Sequence, residues 1–368
     1  MSACHKVFVK KYVRVIVIVI YSFFAMSLLT SFIWTAICIK HIAYVWFGSV
    51  LYIILTIIIV DAISLLLIYI IKVDQKKLVS KKLFVTVGTI CIVIVLTLSV
   101  YGTVNGNIIR TTHYDVSIDK DAKNIDTLKI VFVADLHLGY NKGIRQMTQM
   151  VDKINMQNPD IVMIGGDIFD NEFDAIANPD QVAKVLSSID SKYGTYACLG
   201  NHDISEKILA GFTFKSDEPK EASDEMYQFI EDSGMLLLQD KGTMIDDSFY
   251  LYGRADAERP GRGISVRAAP NEITEDIDKN IPIIILEHEP RESQELADAG
   301  ADLQLAGHTH DGQMFPGNLT IHLFWDNPYG LTEYDNMTNI TTSGVGVFGP
   351  NMRVGTKSEI TVIDVSFK

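Results

Sequence analysis

Three long apolar runs dominate the first hundred residues of the chain. The first extends from Val15 to Ile39 without a charged residue, the second from about Ile42 to Ile71, and the third from Leu83 to Tyr101. Each run is long enough to cross a bilayer as a helix, and the first is too long, and lacks the cleavage site, for a secretory signal. The pattern predicts a membrane region over residues 1–102 with transmembrane helices at 15–39, 42–71 and 83–101. The alternative is two spans and a re-entrant segment.

Short apolar runs separated by helix-length segments follow a polar lead-in at residues 103–127. A strand buried on both faces gives a continuous apolar run, whereas an amphipathic helix repeats its apolar positions every three or four residues. Residues 128–368 alternate between these two patterns, which predicts an α/β domain. The expected buried strands are 128–134, 160–164, 195–199, 281–286 and 303–306, the expected helices are 143–155, 179–188, 224–233 and 292–299, and two further strands surround a Gly-rich turn between 340 and 365.

Each of the five buried strands ends in side chains that can bind a metal ion. On an extended segment, residues i and i+2 point to the same side, so an Asp-x-His or His-x-His pair can reach one centre. The donors are oxygen and nitrogen without a thiolate, which suits Mn²⁺, Fe or Zn²⁺ and disfavours a structural zinc finger. Seven donors are too many for one catalytic ion, so the set predicts two ions that share a carboxylate, as in displacement at phosphorus. The seven are Asp135, His137, Asp167, Asn201, His288, His308 and His310.

The order and local sequence of these donors resemble those of the calcineurin-like metallophosphoesterase superfamily over about residues 128–364. Residues 307–316 and 349–353 are similar to its membrane-anchored branch, which includes the transmembrane proteins with a metallophosphoesterase domain. The resemblance implies an α/β (α+β-like) fold, a two-sheet αββα sandwich, here preceded by the three predicted transmembrane helices. The matching segments are Asp135-x-His137, Gly166-Asp167, Gly200-Asn201-His202-Asp203, His288 and Gly307-His308-Thr309-His310.

The resemblance also implies a role for each donor. Asp167 would bridge two ions, and a hydroxide between them would attack phosphorus. His202 would orient the phosphate or protonate the leaving oxygen, which requires a pKa near the working pH. Asp311 departs from many relatives and adds negative charge beside the last motif. The ligands of one ion would be Asp135, His137 and His310, and those of the other Asn201, His288 and His308.

The charge distribution divides the chain at the same place as the apolar pattern. Residues 1–102 carry ten Lys and Arg and only Asp61 and Asp74 as acids, a net charge of +8, whereas the rest carries 22 basic and 43 acidic residues, a net charge of −21. An acidic domain lacks the basic face that a phosphate backbone needs, so nucleic acid is not expected as a partner. Beyond residue 102 the sequence has one cysteine, Cys198, so cysteine usage does not identify the compartment.

Basic residues beside the apolar runs predict the orientation in the membrane. Lys and Arg are frequent before the first run and between the second and third runs, but the other two flanks contain only Lys40 and Arg110 nearby. Because cytoplasmic flanks are enriched in Lys and Arg, we expect an amino terminus inside the cell. The sequence thus predicts a multi-pass integral membrane protein whose catalytic domain is extracytoplasmic.

Three further features carry open alternatives. Arg353 and the Arg254–Arg267 cluster could bind substrate phosphate or form surface salt bridges. Asp61 could serve a relay within the membrane or be a protonated or helix-paired residue of the helix packing. The acidic excursion at residues 203–234 could be a solvated face or a cap over the site.

These observations favour a membrane-anchored, two-metal phosphoesterase that hydrolyses phosphoester or pyrophosphate bonds. A site held near a bilayer favours lipid-linked substrates over soluble ones. Two other classes stay open: a membrane sensor or scaffold whose metal domain binds a ligand without turnover, and a three-helix transport component that uses Asp61. Loss of hydrolysis in His202→Ala with intact metal content would favour the enzyme over both.

Overall fold

The computed structural model describes residues 37–78, 80–206, 208–209, 212–213 and 221–368, together with isolated positions between 15 and 30. The chain divides into two compact units. The helical unit comprises Met1–Val104 with Gly349–Met352, and the sheet unit comprises Asn105–Phe348 with Arg353–Lys368.

The helical unit is built from α1 (Ile37–Tyr69), the short α2 (Gln75–Leu78) and α3 (Lys81–Asn105). Within the described residues, two helices and not three are long and apolar enough to cross a membrane, over Ile39–Tyr69 and Lys81–Asn105. They correspond to the spans predicted at 42–71 and 83–101. The span predicted at 15–39 lies largely outside the described residues.

Ser49 Oγ and Ser99 Oγ lie 2.8 Å apart and join α1 to α3 by a hydrogen bond. Asp61 lies on α1 with its side chain exposed.

Two mixed β-sheets form the sheet unit. In spatial order, sheet 1 contains β1 (Ile109–Ile118), β14 (Ser358–Phe367), β2 (Thr127–Val133), β3 (Ile161–Gly165), β4 (Thr195–Cys198) and β7 (Met235–Leu237). Of these, β2, β3, β4 and β7 are parallel, and β14 pairs antiparallel with β2 and parallel with β1.

In spatial order, sheet 2 contains β12 (Gly330–Tyr334), β13 (Met337–Thr341), β11 (Leu303–Ala306), β10 (Ile283–Leu286), β9 (Phe249–Gly253) and β8 (Lys241–Ile245). Of these, β13, β11, β10 and β9 are parallel, and the edge strands β12 and β8 are antiparallel to their neighbours.

The helices connect the strands and cover the outer faces of the two sheets. A separate hairpin, β5 (Ile208–Leu209) and β6 (Phe212–Thr213), lies in the acidic excursion that follows β4. Short 3₁₀ turns occur at Phe173–Ala175, His310–Gly312 and Ile321–Leu323. The helices are α4 (Ile144–Asn155), α5 (Pro179–Leu186), α6 (Asp224–Asp232), α7 (Pro270–Thr274), α8 (Ser293–Ala299) and α9 (Gly317–Thr320).

Alternate residues of the central strands face different hydrophobic cores, as the pleat of a strand requires. Ile130 and Phe132 of β2 share the core between the sheets with Ile284 and Leu286 of β10. The intervening Val131 and Val133 pack instead with residues of α4, α5 and α6. On the other side, alternate residues of β10 pack with α7 and α8. The predicted αββα sandwich is therefore confirmed, with helices outside both sheets.

The structure differs from the sequence prediction mainly in the lead-in. Residues 103–127 contain β1, which pairs along its whole length with β14, from Ile109 beside Ser358 to Ile118 beside Phe367. Its side chains alternate only weakly between buried and exposed, as on an edge strand. The weak alternation of this segment therefore reflects its position at the edge of sheet 1.

Candidate metal centre

The predicted donors follow the carboxyl ends of strands from both sheets. Sheet 1 contributes Asp135 after β2, Asp167 after β3 and Asn201 after β4, while sheet 2 contributes His288 after β10 and the His308 segment after β11. Parallel strands bring their carboxyl ends to one edge, where α/β proteins commonly bind ligands. The two sheets meet at this edge, because donors from sheet 1 lie about one hydrogen-bond distance from donors of sheet 2.

One group of donors consists of Asp135, His137 and His310, whose donor atoms lie within 4.8 Å of one another. His137 Nε2 is 3.0 Å from His310 Nε2, and His310 Nε2 is 3.5 Å from Asp135 Oδ1. All three side chains are buried. This is the set predicted for one ion.

A second group consists of Asp167, His288 and His308. Asn201 joins it, because its Oδ1 lies 3.0 Å from His288 Nε2 and 3.0 Å from His308 Nδ1. His288 Nδ1 donates a hydrogen bond to the carbonyl oxygen of Gly165, 2.9 Å away, which leaves Nε2 directed at the site. The structure thus brings together the set predicted for the other ion.

Asp167 lies between the two groups. Its Oδ2 is 3.1 Å from His288 Nε2 in one group and 3.6 Å from His137 Nε2 in the other. Its Oδ1 accepts a hydrogen bond from the backbone N–H of His202 at 2.8 Å, which fixes the carboxylate plane. The Asp167 carboxylate therefore lies within reach of both groups of predicted ligands.

The electrostatics of the donors fit divalent cations. Burial lowers the pKa of His308 to about 3 and, together with the neighbouring His137, lowers the pKa of His310 well below its usual value. Both rings are therefore neutral near pH 7, which is the form that binds a metal. Burial also raises the pKa of the Asp135 carboxyl to about 6. Oxygen and nitrogen donors that converge in this way suit divalent cations, and this donor set does not distinguish Mn²⁺, Fe and Zn²⁺.

The backbone conformation at these donors is not the extended one that was expected from the sequence. Asp135 and His137 have φ angles of 54° and 46°, and His308 and His310 have 69° and 51°, in the left-handed region. The expectation that these pairs converge because they are extended is wrong, although the pairs do converge. Such residues cost about 1–3 kcal/mol each and persist at functional sites when the surrounding structure holds them.

Two glycines are required by the close approach of chain segments around the carboxylates. A Cβ atom on Gly200 would lie 2.3 Å from Asp167 Oδ1, and one on Gly307 would lie 2.5 Å from Ala134 Cβ and 2.7 Å from Asp135 Oδ2. All three distances are far below van der Waals contact. The glycines preceding Asn201 and His308 therefore make room for the donor atoms.

His202 lies at the rim of the first group. Its ring is 5.2 Å from the His137 ring and 4.7 Å from the Phe348 ring, and its Nδ1 hydrogen-bonds Asn171 Oδ1. Burial lowers its pKa, so the ring is neutral near pH 7. The side chain is partly exposed, so it can contact a molecule that enters the site.

Two buried carboxylates support the site, although no role was assigned to either of them from the sequence. Asp203 accepts hydrogen bonds from Gly200 N at 2.7 Å and Phe169 N at 2.8 Å, which ties the segment after β4 to the segment after β3. Asp170 Oδ1 is 3.6 Å from His137 Nδ1, on the side of the ring opposite the metal group. A carboxylate in that place orients a ligating histidine. Their positions in the sequence could have pointed to them, because each follows a predicted site residue by one to three positions.

Arg353 does not line the site as a substrate-binding group would. Its side chain is fully buried. The guanidinium donates to the carbonyl oxygens of His310 at 3.1 Å, Gly346 at 2.9 Å and Ser343, and contacts His310 Nδ1 at 3.1 Å. An enclosed guanidinium that already contacts His310 positions that donor, so this placement does not favour the predicted contact with substrate phosphate.

The Arg254–Arg267 cluster forms ion pairs, the alternative left open by the sequence. Arg254 is buried between Glu287 and Glu292, at 3.3 and 2.7 Å, and Arg267 pairs with the same two carboxylates. Arg259 differs, because its Nη1 donates to the carbonyl oxygen of Asn201 at 2.6 Å. It thereby holds the backbone of a predicted ligand.

A two-sheet α/β sandwich with two sets of buried donors around a shared carboxylate is the architecture of a metal-dependent hydrolase domain. The family model of the calcineurin-like phosphoesterases matches residues 128–312, which is half of the chain. The chain belongs to this family. The family predicted from the sequence is thereby confirmed.

Curated relatives agree with this assignment. The chain is 29% identical over 291 residues to a transmembrane protein with metallophosphoesterase domain from Danio rerio, covering 74% of this chain and 61% of that protein. It is 29% identical over 278 residues to an uncharacterized metallophosphoesterase of Campylobacter jejuni, covering 73% and 67%. It is also 28% identical over 259 residues to the phosphodiesterase YaeI of Escherichia coli, covering 66% and 83%. The chain therefore spans about three-fifths of the length of the Danio rerio relative.

A solved 5′-nucleotidase precursor from Thermus thermophilus is 14% identical, with a TM-score of 0.38 over 65% of this chain and 54% of that chain. A likeness at this level bears on neither activity nor substrate.

Proposed function

We propose that this protein is a membrane-anchored phosphoesterase that hydrolyses phosphoester or pyrophosphate bonds with two divalent cations. The observation that carries the proposal is the position of Asp167, whose Oδ2 reaches both histidine groups. Two bound cations would lower the pKa of coordinated water and neutralise charge on a phosphoryl group. The proposed ligands are the seven donors predicted from the sequence.

The residues of the chain would divide the remaining work. His202 lies at the rim, where an anionic phosphate favours the protonated form of its ring. In that form Nε2 can orient a phosphate oxygen or donate a proton to the leaving oxygen. Asn171 holds the opposite ring nitrogen and so fixes the direction of Nε2. Phe348 packs against the His202 ring and shields one side of it from water.

His202→Ala is expected to lower turnover of a phosphodiester about 10²–10⁴-fold, the usual contribution of general acid–base catalysis, while two cations remain bound. The measurement compares hydrolysis of bis(p-nitrophenyl) phosphate with metal content per chain. His113→Ala is the matched control, because His113 is exposed on β1.

Two outcomes would contradict the proposal. Full activity in the His202→Ala variant would remove His202 from the mechanism. Two bound cations in the wild-type protein without turnover of any phosphate monoester, diester or pyrophosphate would instead support a metal-binding membrane sensor or scaffold.

We further propose that residues 1–102 form a multi-pass membrane region, in which a span at 15–39 precedes the two apolar helices described above. We also propose that the phosphoesterase domain lies outside the cytoplasm. The support is the distribution of Lys and Arg between the flanks of the apolar runs. The name of the Danio rerio relative, which describes a transmembrane protein, agrees with the membrane anchoring.

Labelling of intact cells tests this orientation. A cysteine introduced by Met156→Cys, at an exposed position on the sheet unit, is expected to react with a membrane-impermeant maleimide before lysis. The parent chain, treated in the same way, gives the background from its own cysteines. Labelling that requires lysis would place the domain in the cytoplasm.

A further inference from the structure

An uncharged, apolar loop lies on the otherwise acidic sheet unit. Residues 312–325, here called the apolar loop, contain no Asp, Glu, Lys or Arg, although the chain beyond residue 102 has a net charge of −21. The loop includes α9 and the 3₁₀ turn that follows it. Exposed apolar patches of this kind mark binding surfaces. Its large exposed side chains are Phe315 (45% exposed), Leu319 (62%), Leu323 (80%) and Phe324 (77%).

The base of the apolar loop is bonded to the segment that also holds the end of α3. Phe315 N donates to Val354 O at 2.7 Å, and Val354 N donates to Gln313 O at 3.2 Å. Two residues further along, Thr356 O accepts a hydrogen bond from Asn105 Nδ2 at 2.9 Å. Asn105 is the last residue of the candidate span Lys81–Asn105. One short segment of chain therefore connects the loop to the residue at which the apolar helix ends.

The other end of the apolar loop reaches the metal centre. The Trp325 ring lies 5.1 Å from the ring of His308, a predicted ligand, and the guanidinium of Arg291 lies over the same indole at 5.0 Å. Arg291 is in turn held by Glu289 at 2.5 Å, and Glu289 Oε1 is 3.5 Å from His308 Nε2. The loop thus runs from the segment beside Asn105 to the edge of the site.

We propose that the apolar loop docks the sheet unit onto a lipid bilayer surface and presents the metal centre to phosphoesters in that bilayer. The second part rests on the proposed function. Two observations favour a bilayer as the partner of the loop. The same chain carries two helices that are apolar enough to cross a bilayer, and the second of these helices ends beside the base of the loop. Phe, Leu and Trp are the residues that insert at membrane interfaces.

The full-length protein, reconstituted in vesicles of phosphatidylcholine and phosphatidylglycerol, tests the docking without any enzymatic readout. An environment-sensitive fluorophore is attached through Leu323→Cys or, as the control, through Val266→Cys, since Val266 is 81% exposed elsewhere on the sheet unit. Cys4, Cys38 and Cys91 are replaced by Ser, and the buried Cys198 is kept. We expect quenching at position 323 by lipids carrying a spin label and little quenching by aqueous iodide, with the reverse at position 266.

The other outcomes overturn the proposal. Iodide quenching at position 323 equal to that at position 266 would show that the loop stays in water. A label at position 323 that neither iodide nor the spin-labelled lipid quenches would show that protein covers the loop, such as a second copy of the chain.

A second comparison tests the presentation of substrate. We expect Leu323→Asp to lower the ratio of turnover on a lipid phosphodiester in the vesicles to turnover on bis(p-nitrophenyl) phosphate by tenfold or more, and Val266→Asp to leave that ratio unchanged. An unchanged ratio in Leu323→Asp would contradict the presentation. Absence of turnover on both substrates in the wild-type protein would instead count against the proposed function, while the quenching result would still decide the docking.

Discussion

Asp167→Asn is expected to lower turnover by more than the roughly 10–100-fold lost when a residue that only supports a ligand is changed. The substitution preserves the size of the side chain but removes the negative charge at Oδ2, which lies 3.1 Å from His288 Nε2 and 3.6 Å from His137 Nε2. Two cations that share this carboxylate lose their common ligand. We expect fewer than two cations per chain in the variant.

Metal content and hydrolysis of bis(p-nitrophenyl) phosphate in the presence of Mn²⁺ are measured together. Asp152→Asn is the matched control, because Asp152 is exposed on α4. Two bound cations and wild-type turnover in Asp167→Asn would contradict the bridging role. If the wild-type protein binds two cations but hydrolyses neither diesters nor monoesters, pyrophosphate substrates become the next class to test.

Arg353→Met is expected to destabilise the sheet unit by about 3–5 kcal/mol, the usual cost of removing one partner from a buried charged network. The guanidinium is fully buried, and its loss leaves the carbonyl oxygens of His310, Gly346 and Ser343 without this donor. In a unit of this size the expected fall in Tm is roughly 6–20 °C. Because Arg353 also contacts His310 Nδ1, we expect weaker metal binding in the same variant.

Thermal unfolding in detergent and metal titration measure the two effects. Arg145→Met is the control, since Arg145 is exposed on α4. Arg353→Lys retains the charge but not the fork of donors, so we expect intermediate stability. A Tm of Arg353→Met within one or two degrees of the wild-type value would show that the buried network contributes little.

The sequence predicted the central part of the fold because buried parallel strands have a distinctive pattern. The strands predicted at 160–164 and 281–286 consist almost entirely of apolar residues, and they coincide with β3 and β10 within two residues. The weakly alternating β1 was not recognised as a strand, because its pairing partner β14 lies about 250 residues further along the chain. Local patterns carry no information about such a partner.

The candidate site, like the fold, was predictable in part from the sequence. The chemistry of the donors and their position after strands were sufficient to group Asp135 with His137. The bridging role of Asp167 was implied by the resemblance to the family and stays a prediction. The left-handed backbone at Asp135 and His137 was not predictable, because only the surrounding contacts make it tolerable. The burial of Arg353 was not predictable either, because the residues beside it in the sequence do not indicate that its charged side chain is enclosed.

The distribution of the proposed ligands over both sheets constrains when the chain can acquire its metal. Asp135, Asp167 and Asn201 follow strands of sheet 1, whereas His288, His308 and His310 follow strands of sheet 2, so each proposed ion has ligands from both. During synthesis, neither ion can find its full coordination until residue 310 has left the ribosome. Sheet 1 itself is incomplete until residues 358–367 insert as β14 between β1 and β2. Loading with metal is therefore a late event, and it takes place in the compartment where the finished domain folds.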